Sequence, residues 1–192
     1  MIPEFNMAGV IPPIRPGALG HSQDRSPYVV DIVRVISRFA TTPRRIQILK
    51  GFLEFRQNFY ALGVVSGFQW IDGSFCQDIE VIESRDPGDI DVVTFFYTPQ
   101  EIDLTAELIE GINNLLDSEY TKPRFNVDAY GMQLGTIFTA STVQNLSYWY
   151  SMWSHRKSDN MWKGFVQIPL SPIEDKQAII ELNKLETQEE ML

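Results

Sequence analysis

The apolar positions in the first third of the chain recur every three or four residues, which is the spacing of one face of an amphipathic helix. Two such runs are separated by Thr41–Pro43, where proline after threonine ends one helix and begins the next. The second run ends near Gly63. The first run is Val29, Ile32, Val33, Ile36 and Phe39, and the second is Leu49, Phe52, Leu53, Phe59 and Leu62.

Later segments show a period of two, which predicts β-strands. The clearest is Ile90–Phe96, whose alternation places Asp89 and Asp91 on the same face as Val93 and Phe95. The other predicted strands are Gly67–Asp72, Arg124–Tyr130, in which Asp128 alternates onto the polar face, and Lys163–Ile168.

Further helices are predicted between and after these strands. Thr98–Glu101 has the threonine, proline and glutamate of a capping box, which predicts a helix start. Ser171–Glu174 shows the same pattern with serine and opens a C-terminal helix over residues 171–192. Another helix is predicted from the spacing of Val143, Leu146, Tyr150 and Trp153.

The order of elements predicts the fold. Residues 1–28 are rich in proline and glycine, which favours an extended arm on the surface. Residues 29–170 read as two helices followed by strands interleaved with helices, which predicts one α/β (α+β) domain. We expect a small mixed β-sheet with helices packed mainly on one face, two N-terminal helices and the C-terminal helix. The face carrying the carboxylates would then be the open one.

Composition narrows the classes of function. Of the 192 residues, 44% are hydrophobic, enough for a globular core. The net charge of −9 disfavours nucleic acid as a general partner, although a local basic groove is compatible with it. Cys76 is the sole cysteine and there are two histidines, which excludes an intrachain disulfide and disfavours a zinc site. No signal peptide or membrane-spanning apolar run is evident, so we expect a cytoplasmic protein without membrane association.

Asp89 and Asp91 are the first candidate site, because charged carboxylates in an apolar strand need a compensating partner. Residues two apart on a strand lie about 6–7 Å apart along one face. At that separation two like charges repel, and a divalent cation would relieve the repulsion. Oxygen-only ligands suit Mg²⁺ or Mn²⁺. Asp128 has the correct alternation to join them from the next strand, and three such carboxylates can hold a pair of ions.

Gly73 and Ser74 are the second candidate site. Glycine allows the backbone to approach a ligand closely, and serine at the start of a helical turn offers a hydroxyl and free backbone N–H groups to a phosphate. Residues 74–80 could supply that turn. A phosphate anchor followed by a metal-binding strand predicts a nucleoside triphosphate site.

These residues resemble the DNA polymerase β-type nucleotidyltransferase superfamily, in which Gly-Ser and Asp-x-Asp are followed by a lone aspartate on a later strand. The segments "GFQWIDGSF", "PGDIDVVTFF", "IPPI" and "KGFV" resemble one largely bacterial branch of it, over roughly Val10 to Leu170. The stretch from Ser74 to Asp89 departs from the pattern, because it is longer than in compact members and contains "IEVIESRD" as an insertion.

The resemblance implies transfer of a nucleoside monophosphate from a triphosphate to a hydroxyl. Gly73 and Ser74 would hold the triphosphate, Asp89 and Asp91 would bind both metal ions, and Asp128 would complete the catalytic ion and help to deprotonate the acceptor. Small members often modify a protein or tRNA, or act in toxin–antitoxin or antiphage systems. The short chain leaves little room for acceptor recognition, so we expect a protein partner or acceptor.

Each of these residues also has a simpler structural interpretation. Asp89 follows Pro-Gly and suits a turn, Asp128 could cap its strand or pair with Arg124, and Gly73–Ser74 could be an ordinary turn. Cys76 is expected to pack in the core. The basic segment 154–164, "SHRKSDNMWKG", which includes His155 and lies near Trp153, is expected to be a solvated loop rather than a phosphate-binding site.

Two other classes of function remain compatible with the sequence. The first is a catalytically inactive nucleotide-binding or regulatory module of the same fold. The second is an unrelated structural α/β domain, which requires the three aspartates to lie far apart. Fold alone does not decide between them, because function depends on the geometry of the site.

Overall fold

The computed structural model describes residues 1–99, 103 and 105–189. It is a mixed α/β fold, as the order of elements predicts. The strands are β1 (Tyr28–Val29), β2 (Gly67–Asp72), β3 (Ile90–Phe96), β4 (Val127–Gln133) and β5 (Val166–Pro169). The helices are α1 (Ile32–Phe39), α2 (Pro43–Ala61), α3 (Ile79–Ile82), α4 (Ala106–Leu115), α5 (Ser118–Phe125), α6 (Ala140–Trp153) and α7 (Pro172–Glu189).

The five strands form one mixed sheet in the order β1-β5-β2-β3-β4. β2 is antiparallel to both of its neighbours, β3 and β5, whereas β4 is parallel to β3. The parallel pairing requires a crossover, which α4 and α5 provide. β3 and β4 therefore begin at the same end of the sheet, and β2 ends there.

Most helices cover one face of the sheet, as expected. The main core contains residues such as Ile71, Val92 and Ala129 from the strands and Phe52 and Phe55 from α2, and all five side chains are buried. The opposite face is covered only in part. There α6 contributes Trp149 and Trp153 to a smaller, mainly aromatic cluster. The other members of this cluster include Phe68, Trp70, Val93, Phe95, Tyr130, Met132 and Phe165.

A buried polar network fixes α2 and α7 to the sheet. The guanidinium of Arg56 makes two hydrogen bonds to the carboxylate of Asp175, both 2.7 Å long. It also donates to Gln69 at 2.6 Å, and the Gln69 amide donates to the Thr94 hydroxyl at 3.0 Å. A buried charge is tolerated only when it is paired and hydrogen-bonded, and every link here meets that condition.

Several helix starts agree with the sequence. Thr42 caps α2 through the amide of Arg45, with Pro43 as the first helical residue. Ser171 accepts from the amide of Glu174 at 3.4 Å at the start of α7. The predicted capping box at Thr98–Glu101 lies partly outside the described residues, and α4 begins at Ala106 with Thr105 as its cap.

Several predicted boundaries were wrong. The last strand, β5, begins at Val166 rather than at Lys163. Val29 belongs to β1 rather than to the first helix, because its backbone pairs with β5. Residues 124–126 are not strand: Phe125 ends α5, and Asn126 then takes a left-handed conformation (φ 54°) that reverses the chain into β4. Asparagine tolerates that conformation better than most residues. In the described part of the chain, no helix is long and apolar enough to cross a membrane.

Candidate functional site

Four aspartates lie at one end of three adjacent strands, on the same face of the sheet. Asp91 on β3 is the register partner of Asp128 on β4 and of Asp72 on β2. Asp89 precedes β3 by one residue and shares the face of Asp91 by alternation. We call Asp72, Asp89, Asp91 and Asp128 the carboxylate cluster. The prediction that Asp128 lies on a neighbouring strand, on the face of Asp89 and Asp91, is confirmed.

The ammonium of Lys122, on α5, lies between two carboxylates of the cluster. Its Nζ is 2.8 Å from Asp89 Oδ2 and 3.1 Å from Asp128 Oδ2. The hydrogen bond to Asp89, followed by that to Asp128, raises the pKa of Lys122 well above its ordinary value. Arg124, which the sequence suggested as a partner for Asp128, lies instead over the ring of Tyr120 at 3.8 Å.

Asp91 differs from its neighbours because no hydrogen bond or ion pair from the described residues reaches its carboxylate. Burial, and then the charges of Asp72, Asp89 and Asp128, raise the pKa of Asp91 to about 7. Asp128 Oδ1 is buried and likewise has no hydrogen-bond partner among the described residues. Part of the acceptor capacity of the carboxylate cluster is therefore not used by the described protein groups.

Asp72 and Lys163 form a buried ion pair at the edge of the cluster. The ammonium of Lys163 donates to Asp72 Oδ1 and, at 3.1 Å, to the carbonyl oxygen of Trp153. Both side chains are almost fully buried. Burial outweighs the attraction of Lys163 and raises the pKa of Asp72 to about 6.

The backbone at Gly73 passes directly against the carboxylate of Asp91. Gly73 has a φ of 83°, and a Cβ atom placed there would overlap with Asp91 Oδ2. Both the backbone conformation and the contact require glycine. Ser74 then begins a 3₁₀ turn, Ser74–Cys76, as the sequence suggested. The predicted turn over residues 74–80 is divided, however, since Gln77 is extended and α3 starts at Ile79.

The first turn of α2 holds the segment 73–82, which we call the Gly73 loop. Arg45 is buried and donates to the carbonyl oxygens of Phe75 at 2.8 Å and Gln77 at 2.6 Å. It also forms an ion pair with Glu80 at 2.5 Å, on the segment that the sequence marked as an insertion. The insertion thus supplies a carboxylate that fixes the helix-to-loop contact.

The adjacent Arg44 holds the segments that lead into β3 and β4. Its guanidinium donates to the carbonyl oxygens of Pro87, at 3.3 Å, and of Gly88, just before Asp89. It also donates to Asn126 Oδ1 at 3.2 Å, two residues before Asp128. One side chain therefore sets the relative positions of the two strand beginnings that carry the candidate ligands.

The remaining sequence candidates have structural roles. Cys76 is fully buried, and burial raises the pKa of its thiol well above the ordinary value. His155 is exposed, and Arg156 pairs with Asp159 at 2.6 Å. The expectation of a solvated loop holds for His155. It is wrong for Arg156, whose side chain is only 13% exposed and donates to the carbonyl oxygen of Ala8 at 2.7 Å, and for Lys163, which is buried beside the carboxylate cluster.

This geometry can be compared with known proteins. The sequence matches a family of unknown function, DUF6932, over residues 3–169. The chain belongs to the DUF6932 family. No curated protein and no solved structure gives a significant match. The DUF6932 match includes all five strands, the Gly73 loop and the complete carboxylate cluster, whereas α7 lies beyond it.

In this DUF6932 chain the donor set suits a hard divalent cation. Asp89, Asp91 and Asp128 supply only oxygen, and Asp128 Oδ1 is a buried acceptor without a donor in the described structure. Within the same described ranges, no three acidic, histidine or cysteine side chains already converge as metal ligands. The Lys122 ammonium lies at the point between Asp89 and Asp128, so cation binding there requires this side chain to move.

Sequence reasoning missed three charged residues of the site: Asp72, Lys122 and Lys163. Asp72 had a local signal, because it continues the alternation of Phe68 and Trp70 on β2. Lys122 and Lys163 had none, since their positions depend on how α5 and the segment before β5 return to the sheet.

Proposed function

We propose that the chain is a metal-dependent nucleotidyltransferase, which moves a nucleoside monophosphate from a nucleoside triphosphate to a hydroxyl on a protein, RNA or small molecule. The register pairing of Asp91 with Asp128, with Asp89 beside them, supports this proposal most directly. Three oxygen-only ligand groups on one face of two adjacent strands suit Mg²⁺ or Mn²⁺ together with substrate phosphates.

The roles follow the positions of the residues. Asp89, Asp91 and Asp128 would hold the divalent ions, whose charge would stabilise the phosphate oxygens during transfer. The Ser74 hydroxyl and the backbone N–H groups at the start of the 3₁₀ turn would donate to the triphosphate, and Gly73 allows close approach. The N–H groups of Cys76, Gln77 and Asp78 already bond to carbonyl oxygens. Arg45 keeps this loop in place through the carbonyl oxygens of Phe75 and Gln77.

The transfer step forms a bond between the acceptor oxygen and the α-phosphorus. The bond between that phosphorus and the oxygen bridging to the β-phosphorus breaks, and pyrophosphate leaves with the electron pair. The hydroxyl proton passes to Asp128, whose Oδ1 has no donor in the described structure. Positioning and charge neutralisation supply most of the rate enhancement in such reactions.

The net charge of the chain narrows the class of acceptor. The net charge of −9 favours a protein or small-molecule acceptor over long nucleic acid. The acceptor, or a subunit that recognises it, would be a partner protein in the cytoplasm, including one in a toxin–antitoxin or antiphage system.

A second candidate is a catalytically inactive nucleotide-binding or regulatory module of the same fold. The position of Lys122 favours it, because the protein already neutralises two of the three proposed ligands with its own ammonium. In this case the chain would bind a triphosphate without cleaving the bond between its α- and β-phosphates.

Transfer of radiolabel separates these candidates. The purified chain is incubated with Mg²⁺, cell extract and each nucleoside triphosphate, labelled at either the α- or the γ-phosphate. Nucleotidyl transfer places the α-label on an acceptor and leaves the γ-label in pyrophosphate. Transfer of the γ-label would indicate a kinase and contradict the proposal. Triphosphate binding in calorimetry without any transfer would favour the inactive module.

A matched pair of carboxylate-to-amide variants provides the control. Asp91→Asn removes the central member of the cluster and should abolish transfer. Glu54→Gln makes the same chemical change at an exposed position on α2 and should leave transfer unchanged. Equal activity in both variants would show that the observed transfer does not need Asp91 and would contradict the proposed site.

A further inference from the structure

Lys122 occupies a position that the proposed chemistry assigns to a cation. Its Nζ contacts both Asp89 Oδ2, one residue before β3, and Asp128 Oδ2, on β4. The lysine side chain is 52% exposed, whereas those of the two aspartates are 19% and 17% exposed. The ammonium thus covers the carboxylates from the solvent side, on a stem that is free to swing outward.

A divalent ion and this ammonium compete for the same oxygen atoms. To bind between Asp89 and Asp128, a free ion must first break two ion pairs, and the one with Asp128 is also a charge-assisted hydrogen bond, which is stronger than a neutral one. Among the described residues, only these two carboxylates form ion pairs with Lys122, so the displaced ammonium is left with water. The loss of these ion pairs therefore weakens the binding of a free divalent ion.

A triphosphate changes this balance. Its oxygens arrive at the same face, held by Ser74, and offer the displaced ammonium new anionic partners. The ammonium of Lys122 then loses its ion pairs with two carboxylates but gains an ion pair with the phosphate oxygens. Bound triphosphate then raises the affinity for the metal ion, and by thermodynamic linkage the bound metal ion raises the affinity for triphosphate by the same factor.

We propose that Lys122 is an internal counter-cation that excludes free divalent ions from the carboxylate cluster and couples metal loading to the arrival of a triphosphate. This inference rests on the proposed function. It makes Lys122 a positioning residue, whose ammonium moves from the two aspartates to the phosphates.

Metal binding without turnover tests the first half of the inference. Mn²⁺ is titrated into the chain and free Mn²⁺ is followed by electron paramagnetic resonance. Lys122→Gln should bind Mn²⁺ alone on the order of tenfold more tightly than the wild type, because the competitor is gone. Lys122→Arg keeps the positive charge and should resemble the wild type.

Phosphate binding tests the second half. Inorganic tripolyphosphate, which carries the phosphates without a base, is titrated by calorimetry in excess Mn²⁺. Lys122→Gln should bind it more weakly than the wild type, since the ammonium no longer reaches the phosphates. Lys176→Gln removes an exposed lysine on α7 and serves as the control that leaves both affinities unchanged.

The outcomes are distinct. Tighter Mn²⁺ binding together with weaker tripolyphosphate binding in Lys122→Gln supports the inference. Equal Mn²⁺ affinity in Lys122→Gln and the wild type overturns it and leaves the proposed metal site intact. Tighter Mn²⁺ binding with unchanged tripolyphosphate binding overturns the coupling. Absence of Mn²⁺ binding in every variant, with or without tripolyphosphate, overturns the proposed function as well.

Discussion

The ammonium of Lys163 is buried against the carboxylate of Asp72, although the two residues are 91 positions apart in the chain. Lys163 also donates to the carbonyl oxygen of Trp153, at the end of α6. The pair therefore joins the last turn of α6 to the end of β2, beside the Gly73 loop. The integrity of this pair determines whether Asp72 adds an uncompensated charge to the carboxylate cluster.

Removing only the lysine should be strongly destabilising. Lys163→Met leaves Asp72 buried without its counter-charge, and we expect a loss of about 3–5 kcal/mol in the free energy of unfolding. The double variant Asp72→Asn/Lys163→Met should be more stable than Lys163→Met, because no lone charge remains. Urea denaturation measures both. Lys184→Met, which breaks the exposed pair with Glu181, should cost less than about 1 kcal/mol.

Stability should depend on pH through the same carboxylate. The native pKa of Asp72, about 6, lies above its ordinary value of 3.8, so the folded protein retains a proton that the unfolded chain has lost. The free energy of unfolding should therefore fall as pH rises from about 4 to about 6. Asp91, with a pKa of about 7, adds a slope of the same sign.

Urea denaturation across this pH range checks the expectation. The double variant Asp72→Asn/Lys163→Met, which leaves no lone buried charge, should remove the contribution of Asp72 and flatten the dependence between pH 4 and pH 6. If the variant keeps the full slope of the wild type, the carboxylate of Asp72 does not titrate in this window.

Gly73→Ala should damage the site through a contact that a second glycine lacks. Gly73 and Gly17 have nearly equal φ values, 83° and 85°, but nothing lies within 4 Å of a Cβ at Gly17. Gly17→Ala should cost about 1–2 kcal/mol from backbone strain alone. Gly73→Ala should cost more, because the new methyl group pushes against Asp91. Thermal denaturation compares the two, and equal losses would contradict the close approach at Gly73.

Arg45→Met should loosen the Gly73 loop while the rest of the fold stays protected. The change removes the donors to Phe75 and Gln77 and leaves Glu80 without its partner, so we expect a loss of about 3 kcal/mol. Hydrogen exchange should accelerate at the amides of residues 74–82. Arg85→Met, which breaks an exposed pair, is the control. Unchanged exchange in the loop would mean that Arg45 does not hold it.

The core of the fold could be predicted where local pattern and tertiary environment agree. Ile90–Phe96 is almost continuously apolar because one face packs against the main core and the other against the aromatic cluster beside α6, and the strand period of two then assigns Asp89 and Asp91 to one face. The same period placed Asp128 on the correct face. The start of β4 could not be predicted, because α5 has only eight residues, contains Pro123 and gives no helical periodicity.

The residues that balance the negative charge of the site could not be predicted from the local sequence pattern. Asp89, Asp91 and Asp128 could be found because each lies in or beside a strand that shows its own alternation. Their counter-charges could not, since Lys122 and Lys163 meet the sheet only after the chain has folded back on itself. A period of two reports which face a residue occupies and says nothing about which distant side chain lies opposite.

The order of strands has a consequence for synthesis on the ribosome. β5 is the last strand in the sequence, yet it lies inside the sheet, between β1 and β2. Until Val166–Pro169 has emerged, β1 has no neighbour in this sheet and the inner edge of β2 is open. A nascent chain that stops short of β5 would therefore hold an exposed strand edge, which is a template for pairing with other chains.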